Sequence, residues 1–250
     1  MNDDLQKLAQ RIAEIEAHSS RHSPLATRHY PTAWEEILLG GKLAAGSLVE
    51  LLAAEEGAGA WTLALFMARR ACGEHKVLVV VDAERRFYPP AASQLSIDLR
   101  RTIVIRPQPG QPALAALTQS LRCAAVGAAL GKLERVSTTD CRRLQVAAEN
   151  GGGVGFLLRS AAALNMPSFA SLRLLLTPMH NMRDEGRGAR GERDHLRRLQ
   201  VEVVRFRGSL AYDGGLTPRR APMILEIDDE KGHVHIPAAV AVAKSVAPPA

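Results

Sequence analysis

Aromatic side chains make up only 4% of this 250-residue chain, and the three cysteines (Cys72, Cys123, Cys141) are odd in number and far apart. So few aromatics leave no platform on which successive bases of a single strand would stack. The cysteine spacing matches neither a disulfide framework nor a zinc site, which points to a reducing, cytoplasmic setting. No run approaches the roughly 18 uninterrupted apolar residues of a membrane helix, so no membrane partner is expected. The opening MNDDLQKLAQ has acidic residues where a signal peptide would have an apolar stretch. Lysine is absent between Lys42 and Lys76, and that gap governs how the central motif reads.

What the chain does contain is a globular balance, 46% hydrophobic and 23% charged, with enough length for one sizeable core. The net charge is +6 and mostly arginine, which permits contact with nucleic acid without requiring it. Residues 1–17 place Leu5, Leu8, Ile12 and Ile15 at helical spacing among charged residues, giving an amphipathic arm and a candidate partner-binding face. Residues 18–30 read as a linker, and the histidines in it (His18, His22, His29) have no acidic or cysteine companions for a metal.

From Pro31 to residue 240 the pattern is α/β. A short helix is expected over Ala33–Leu39. Beyond it, short apolar strands (Ser47–Leu52, Val77–Val81, Ile103–Ile105, Val126–Leu130, Val154–Leu158) alternate with helices (Leu63–Cys72, Ala113–Ala125, Thr139–Glu149). Unbroken apolar strands alternating with helices predict a mainly parallel sheet flanked by helices on both faces. Leu172–Thr177, Leu199–Phe206, Met223–Ile227 and Val234–Ile236 are separated by polar loops and predict antiparallel strands added at the C-terminal side. Residues 183–198 form an Arg/Gly-rich stretch expected to be a mobile loop, and residues 241–250 a disordered tail. His233 and His235 alternate on one strand face, too little for a metal site, and no metal is expected anywhere.

The order of these motifs resembles the ATPase core of RecA. "GSLVELLAAEEGAGAWTLAL" is similar to that family's strand, phosphate loop and helix, and "KVLVVVDAERRFYPPAASQLSIDLRRTIVIRPQPGQPALAAL" to its next βαβ unit. "FASLRLLL" is similar to the strand that enters its C-terminal sheet, and the likeness runs over residues 30–236. Two further blocks, "DCRRLQVAAENGGGVGFLLR" and "RRLQVEVVRFRG", resemble the ImuA family of RecA-like accessory proteins. That resemblance implies a non-catalytic adaptor in damage tolerance and SOS mutagenesis. Its partners would be an ImuB-like translesion protein, an error-prone DNA polymerase and RecA, with DNA reached through them or directly. The wider RecA likeness implies the competing reading, an ATP-dependent single-stranded-DNA-binding ATPase.

A working phosphate loop reads G-x-x-x-x-G-K-[ST]: its backbone N–H groups wrap the phosphates, its lysine neutralises charge and its hydroxyl holds magnesium. Here Ala54 stands at the first glycine, Gly59 at the second, Ala60 at the lysine and Trp61 at the hydroxyl, followed by Thr62. Each lost charge-assisted contact costs about 1.5–3 kcal/mol, and Glu55 and Glu56 add repulsion, so ATP is expected to bind weakly at best. Gly57 and Gly59 still allow a tight strand-to-helix turn, with Trp61 filling nucleotide volume.

By the resemblance, Glu84 takes the place of the glutamate that activates water and is the sole catalytic candidate. Ala91 stands at the adenine-stacking tyrosine, Gly131 or Lys132 at the magnesium-binding aspartate with Glu134 two residues late, and Arg159 at the γ-phosphate sensor. Arg205 and Arg207 are the phosphate-contact candidates for nucleic acid, because they follow a strand that would hold them rigidly.

Overall fold

The computed structural model describes residues 43–108, 112–179, 196–206, 221–229 and 231–237. Nine strands form one sheet in the order β3-β2-β4-β5-β1-β6-β7-β8-β9. The strands are β1 (Leu48–Ala53), β2 (Val77–Val81), β3 (Thr102–Ile105), β4 (Val126–Lys132), β5 (Val154–Ser160), β6 (Leu172–Met179), β7 (Leu196–Phe206), β8 (Met223–Asp228) and β9 (His233–His235). Helices α1 (Ala60–Cys72), α2 (Pro89–Gln94), α3 (Ala113–Leu121) and α4 (Thr138–Gly151) connect the first five strands. The fold is the expected α/β, RecA-like core.

The apolar strands lie in the interior because helices cover both faces. On one side α1 contributes Leu63, Phe66 and Met67 to a layer with Val49, Leu51 and Val80. On the other, α3 and α4 contribute Leu117, Leu121, Leu144 and Ala148 to a layer with Leu48, Val79 and Leu157. Helix α4 starts at Ser137, whose hydroxyl accepts the Asp140 N–H at 3.1 Å, and it closes on Gly152 at φ 69°. Helix α3 ends at Leu121, short of the expected Ala125, and at its end the Cα of Gly151 lies so close that a Cβ there would sit 2.0 Å from the Leu121 carbonyl oxygen.

Strand β6 differs from the reading that made it the first antiparallel strand. It pairs parallel with β1 (Glu50 opposite Arg173) and antiparallel with β7 (Arg173 opposite Arg205), so it is the junction between the two halves of the sheet. A short crossover, residues 161–171, suffices to return it beside β1. Strands β7, β8 and β9 are antiparallel, and their inward residues Leu199, Val201, Leu225, Ile227 and Val234 join the α1 layer. Strand β7 starts at Leu196, so Leu196–Arg198 belong to the strand rather than to the polar loop expected over 183–198. Pairing with Glu226–Asp228 on β8 extends the strand beyond Leu199 through the arginine pair to Leu196. The amphipathic arm (Leu5, Leu8, Ile12, Ile15), the linker, the Ala33–Leu39 helix, residues 183–195, Arg207 and the tail lie outside the described residues. Among the described residues no helix is long and apolar enough to cross a membrane.

Candidate functional site

The loop from Ala54 to Gly59 joins the end of β1 to α1, at the carboxyl ends of the parallel strands where open α/β sheets bind ligands. Its backbone donors are drawn partly inward. The Ala54 N–H bonds the Leu176 carbonyl at 2.9 Å, Ala58 the Glu55 carbonyl at 3.3 Å and Gly59 the Gly57 carbonyl at 2.7 Å. Gly57 (φ 81°) and Gly59 (φ 74°) take the left-handed conformation that an L side chain adopts only with strain. Leu199 and Ile227 approach Gly59 so closely that a Cβ there would touch them at 3.6 and 3.4 Å. Ala60 is buried, and Trp61 is half-buried against the same apolar layer. The distances to Leu199 and Ile227 are ordinary van der Waals distances, so β7 and β8 lie packed against the start of α1.

Thr62 meets a residue that sequence reasoning missed. Arg197, from the start of β7, is paired with Asp229 (Nη2 to Oδ1 2.6 Å) and reaches the Thr62 hydroxyl at 3.4 Å. This contact clasps the antiparallel extension to α1.

Beside the loop, groups near the ends of β2 and β4 pair with one another. Lys132 Nζ lies 3.1 Å from Glu84, 3.8 Å from Glu56 and 3.8 Å from Glu134. Arg86 adds contacts to Glu84 at 3.3 Å and Glu56 at 3.4 Å. Glu84 is thus held between two cations, which occupy the oxygens a general base would use. Lys132 stands where the resemblance asks for an acid. Asp82, at the end of β2, is a turn-former: it accepts the N–H groups of Arg86 (2.7 Å) and Phe87 (3.2 Å) and pairs with Arg106 at 3.2 Å. Burial pushes the Glu134 carboxyl up, but hydrogen bonds from the Ser160 N–H and hydroxyl, with Lys132 and Arg159 nearby, bring it below the usual glutamate range. Ala91 lies exposed on α2, three residues past the exposed Tyr88, and among the described residues no group of His, Cys, Asp or Glu is arranged to hold a metal.

Arg159, which stands where the RecA resemblance asks for the γ-phosphate-sensing glutamine, is buried in the sheet. Its Nη1 donates to Glu50 at 2.7 Å, and Arg173 pairs with the other oxygen of Glu50, which is completely buried. Arg159 Nη2 also donates to the Glu134 carbonyl at 3.0 Å. Arg205 donates to the Ser168 carbonyl at 2.8 Å, so this nucleic-acid candidate carries a structural bond. The missed triad had a sequence signal, single charges inside apolar strands: LVELL, GFLLR and LRLLL.

No protein-family model matches the chain. It is similar to curated proteins named Protein RecA from a Nostoc species and from Trichormus variabilis, in each case 34% identical over 91 residues, or 36% of this chain and 25% of the relative. The same identity over 91 residues holds for Protein RecA of Crocosphaera subtropica, covering 26% of that protein. The chain spans about a quarter of the length of these relatives, and it is RecA-like in fold and in part of its sequence.

Proposed function

We propose that this chain is a RecA-fold adaptor of DNA damage tolerance, of the ImuA kind, that works through protein contacts rather than nucleotide chemistry. One observation carries the reading: the cations beside the loop, Lys132 and Arg86, are already paired with Glu56, Glu84 and Glu134, and buried Ala60 stands where a lysine would. A polyphosphate there would have to break these pairs and meet unneutralised glutamates, with no lysine at Ala60 to offset the cost. The fold is then kept for its surfaces. RecA, an ImuB-like translesion protein and an error-prone polymerase are the partners, DNA is contacted through them, and the cytoplasm is the compartment. The helix face Leu5, Leu8, Ile12 and Ile15 is the anchor for one of them, by the groove-filling mode of amphipathic helices.

A second reading, an ATP-dependent single-stranded-DNA-binding ATPase, draws on one specific feature, the glutamate Glu84 at the end of β2. Affinity capture of the tagged chain from DNA-damaged cells separates the two. The adaptor reading expects RecA and a translesion polymerase to be captured together, and Leu8→Asp with Ile12→Asp to release at least one of them. Capture of neither overturns it.

A further inference from the structure

The crossover at residues 161–171 is bound to the sheet by arginines from beneath. Arg173 donates to the carbonyls of Leu164 (3.0 Å) and Ala163 (2.7 Å), and Arg205 to that of Ser168 (2.8 Å). Arg159 departs from this pattern. Its Nη2 lies 3.2 Å from the Met166 sulfur, and its buried Nε has no hydrogen-bond partner. In the planar guanidinium Nε and Nη2 share one edge, the edge that receives oxygen anions in paired fashion. Nη2 also donates to the Glu134 carbonyl, but a thioether sulfur is a weak acceptor, so the Nε side of this edge is underused although Arg159 itself is almost fully buried. On its other side Met166 is 46% exposed, within a turn where Asn165 and Pro167 are exposed as well.

We propose that Met166 is an oxidation site whose sulfoxide is received by Arg159. The oxidant is a hydroperoxide from solvent. A sulfur lone pair attacks the terminal peroxide oxygen, the S–O bond forms as the O–O bond breaks, and the thioether gives up two electrons. The leaving oxygen takes its proton and departs as water or an alcohol, and sulfoxide reductases reverse the change. The new oxygen is a strong acceptor within reach of the edge that holds the sulfur, and it takes up the unmet Nε–H. Oxidation then fastens the crossover at three arginines, where in the reduced form Arg173 and Arg205 hold it fully and Arg159 weakly. Met179, 39% exposed at the end of β6, is the internal control for simple accessibility, and Met67 and Met223 are buried.

The test treats the full chain with dilute hydrogen peroxide and then dithiothreitol, which restores thiols and leaves sulfoxides in place. Peptide mass spectrometry reads the sites, and amide hydrogen exchange reads the crossover. The proposal expects Met166 to be oxidised with Met67 and Met223 intact, and exchange over residues 161–168 to slow by on the order of tenfold. The slowing reverses with a sulfoxide reductase and is absent in Met166→Leu. It is overturned if Met166 resists oxidation, if exchange there is unchanged or faster once Met166 is oxidised, or if Met166→Leu shows the same slowing.

Discussion

Two clusters of paired charges lie in the parallel half of the molecule, and they do opposite kinds of work. The inner one, Glu50 with Arg159 and Arg173, is buried across β5, β1 and β6. The outer one, Lys132 and Arg86 with Glu56, Glu84 and Glu134, is open to water: the Glu56 side chain is 74% exposed and that of Glu84 41%. Glu134 joins them, its carboxylate facing Lys132 and its carbonyl accepting from Arg159. Buried charges are costly to separate and specify which strands are neighbours, whereas exposed pairs contribute little and chiefly set the local potential. The position matching the phosphate-sensing residue of the resembling family is thus part of the frame, while the exposed cations are taken up by a surplus of carboxylates.

The sharpest way to break this contrast is Glu50→Gln, which leaves two guanidiniums buried without their anion. Urea unfolding should show a loss of about 3–5 kcal/mol, and a loss under about 1 kcal/mol would put the two clusters on an equal footing. Restoring the missing loop chemistry by Ala60→Lys with Trp61→Thr should cost about 1–3 kcal/mol, because the new side chain enters a packed layer with Leu199 and Ile227. The same double variant should gain no measurable ATP affinity; a clear gain would mean that the loop needs only its lysine. Lys132→Met should cost less than about 1 kcal/mol in thermal unfolding, since its partners are solvated. The smallest effect is acidic. The folded pKa of Glu134 lies below its unfolded value, so its contribution is present above the ordinary glutamate range and is lost as pH falls through the folded value. Stability measured across that acid limb should fall slightly more steeply in the parent chain than in Lys132→Met.

Much of the parallel half was legible in the sequence because its strands are unbroken apolar runs such as VLVVV, bounded by helices with their own signals at Ser137 and Gly152. The site was less so. Glu50, Arg159 and Arg173 are more than a hundred residues apart or on different strands, and they meet only through the order β5-β1-β6, which no local pattern encodes. Arg197 reaches Thr62 for a similar reason, since the folding of β7 against α1 depends on the junction at β6. The degenerate loop itself, Ala54 to Thr62, could be read residue by residue, but the Leu199 and Ile227 side chains over Gly59 could not.

The central claim, that the loop has exchanged nucleotide chemistry for packing, is tested most directly by calorimetric titration of the full chain with ATP and magnesium. The account predicts no saturable heat up to about 1 mM nucleotide, a ceiling near 4 kcal/mol of binding. A dissociation constant tighter than about 10 µM, nearly 7 kcal/mol, would contradict it.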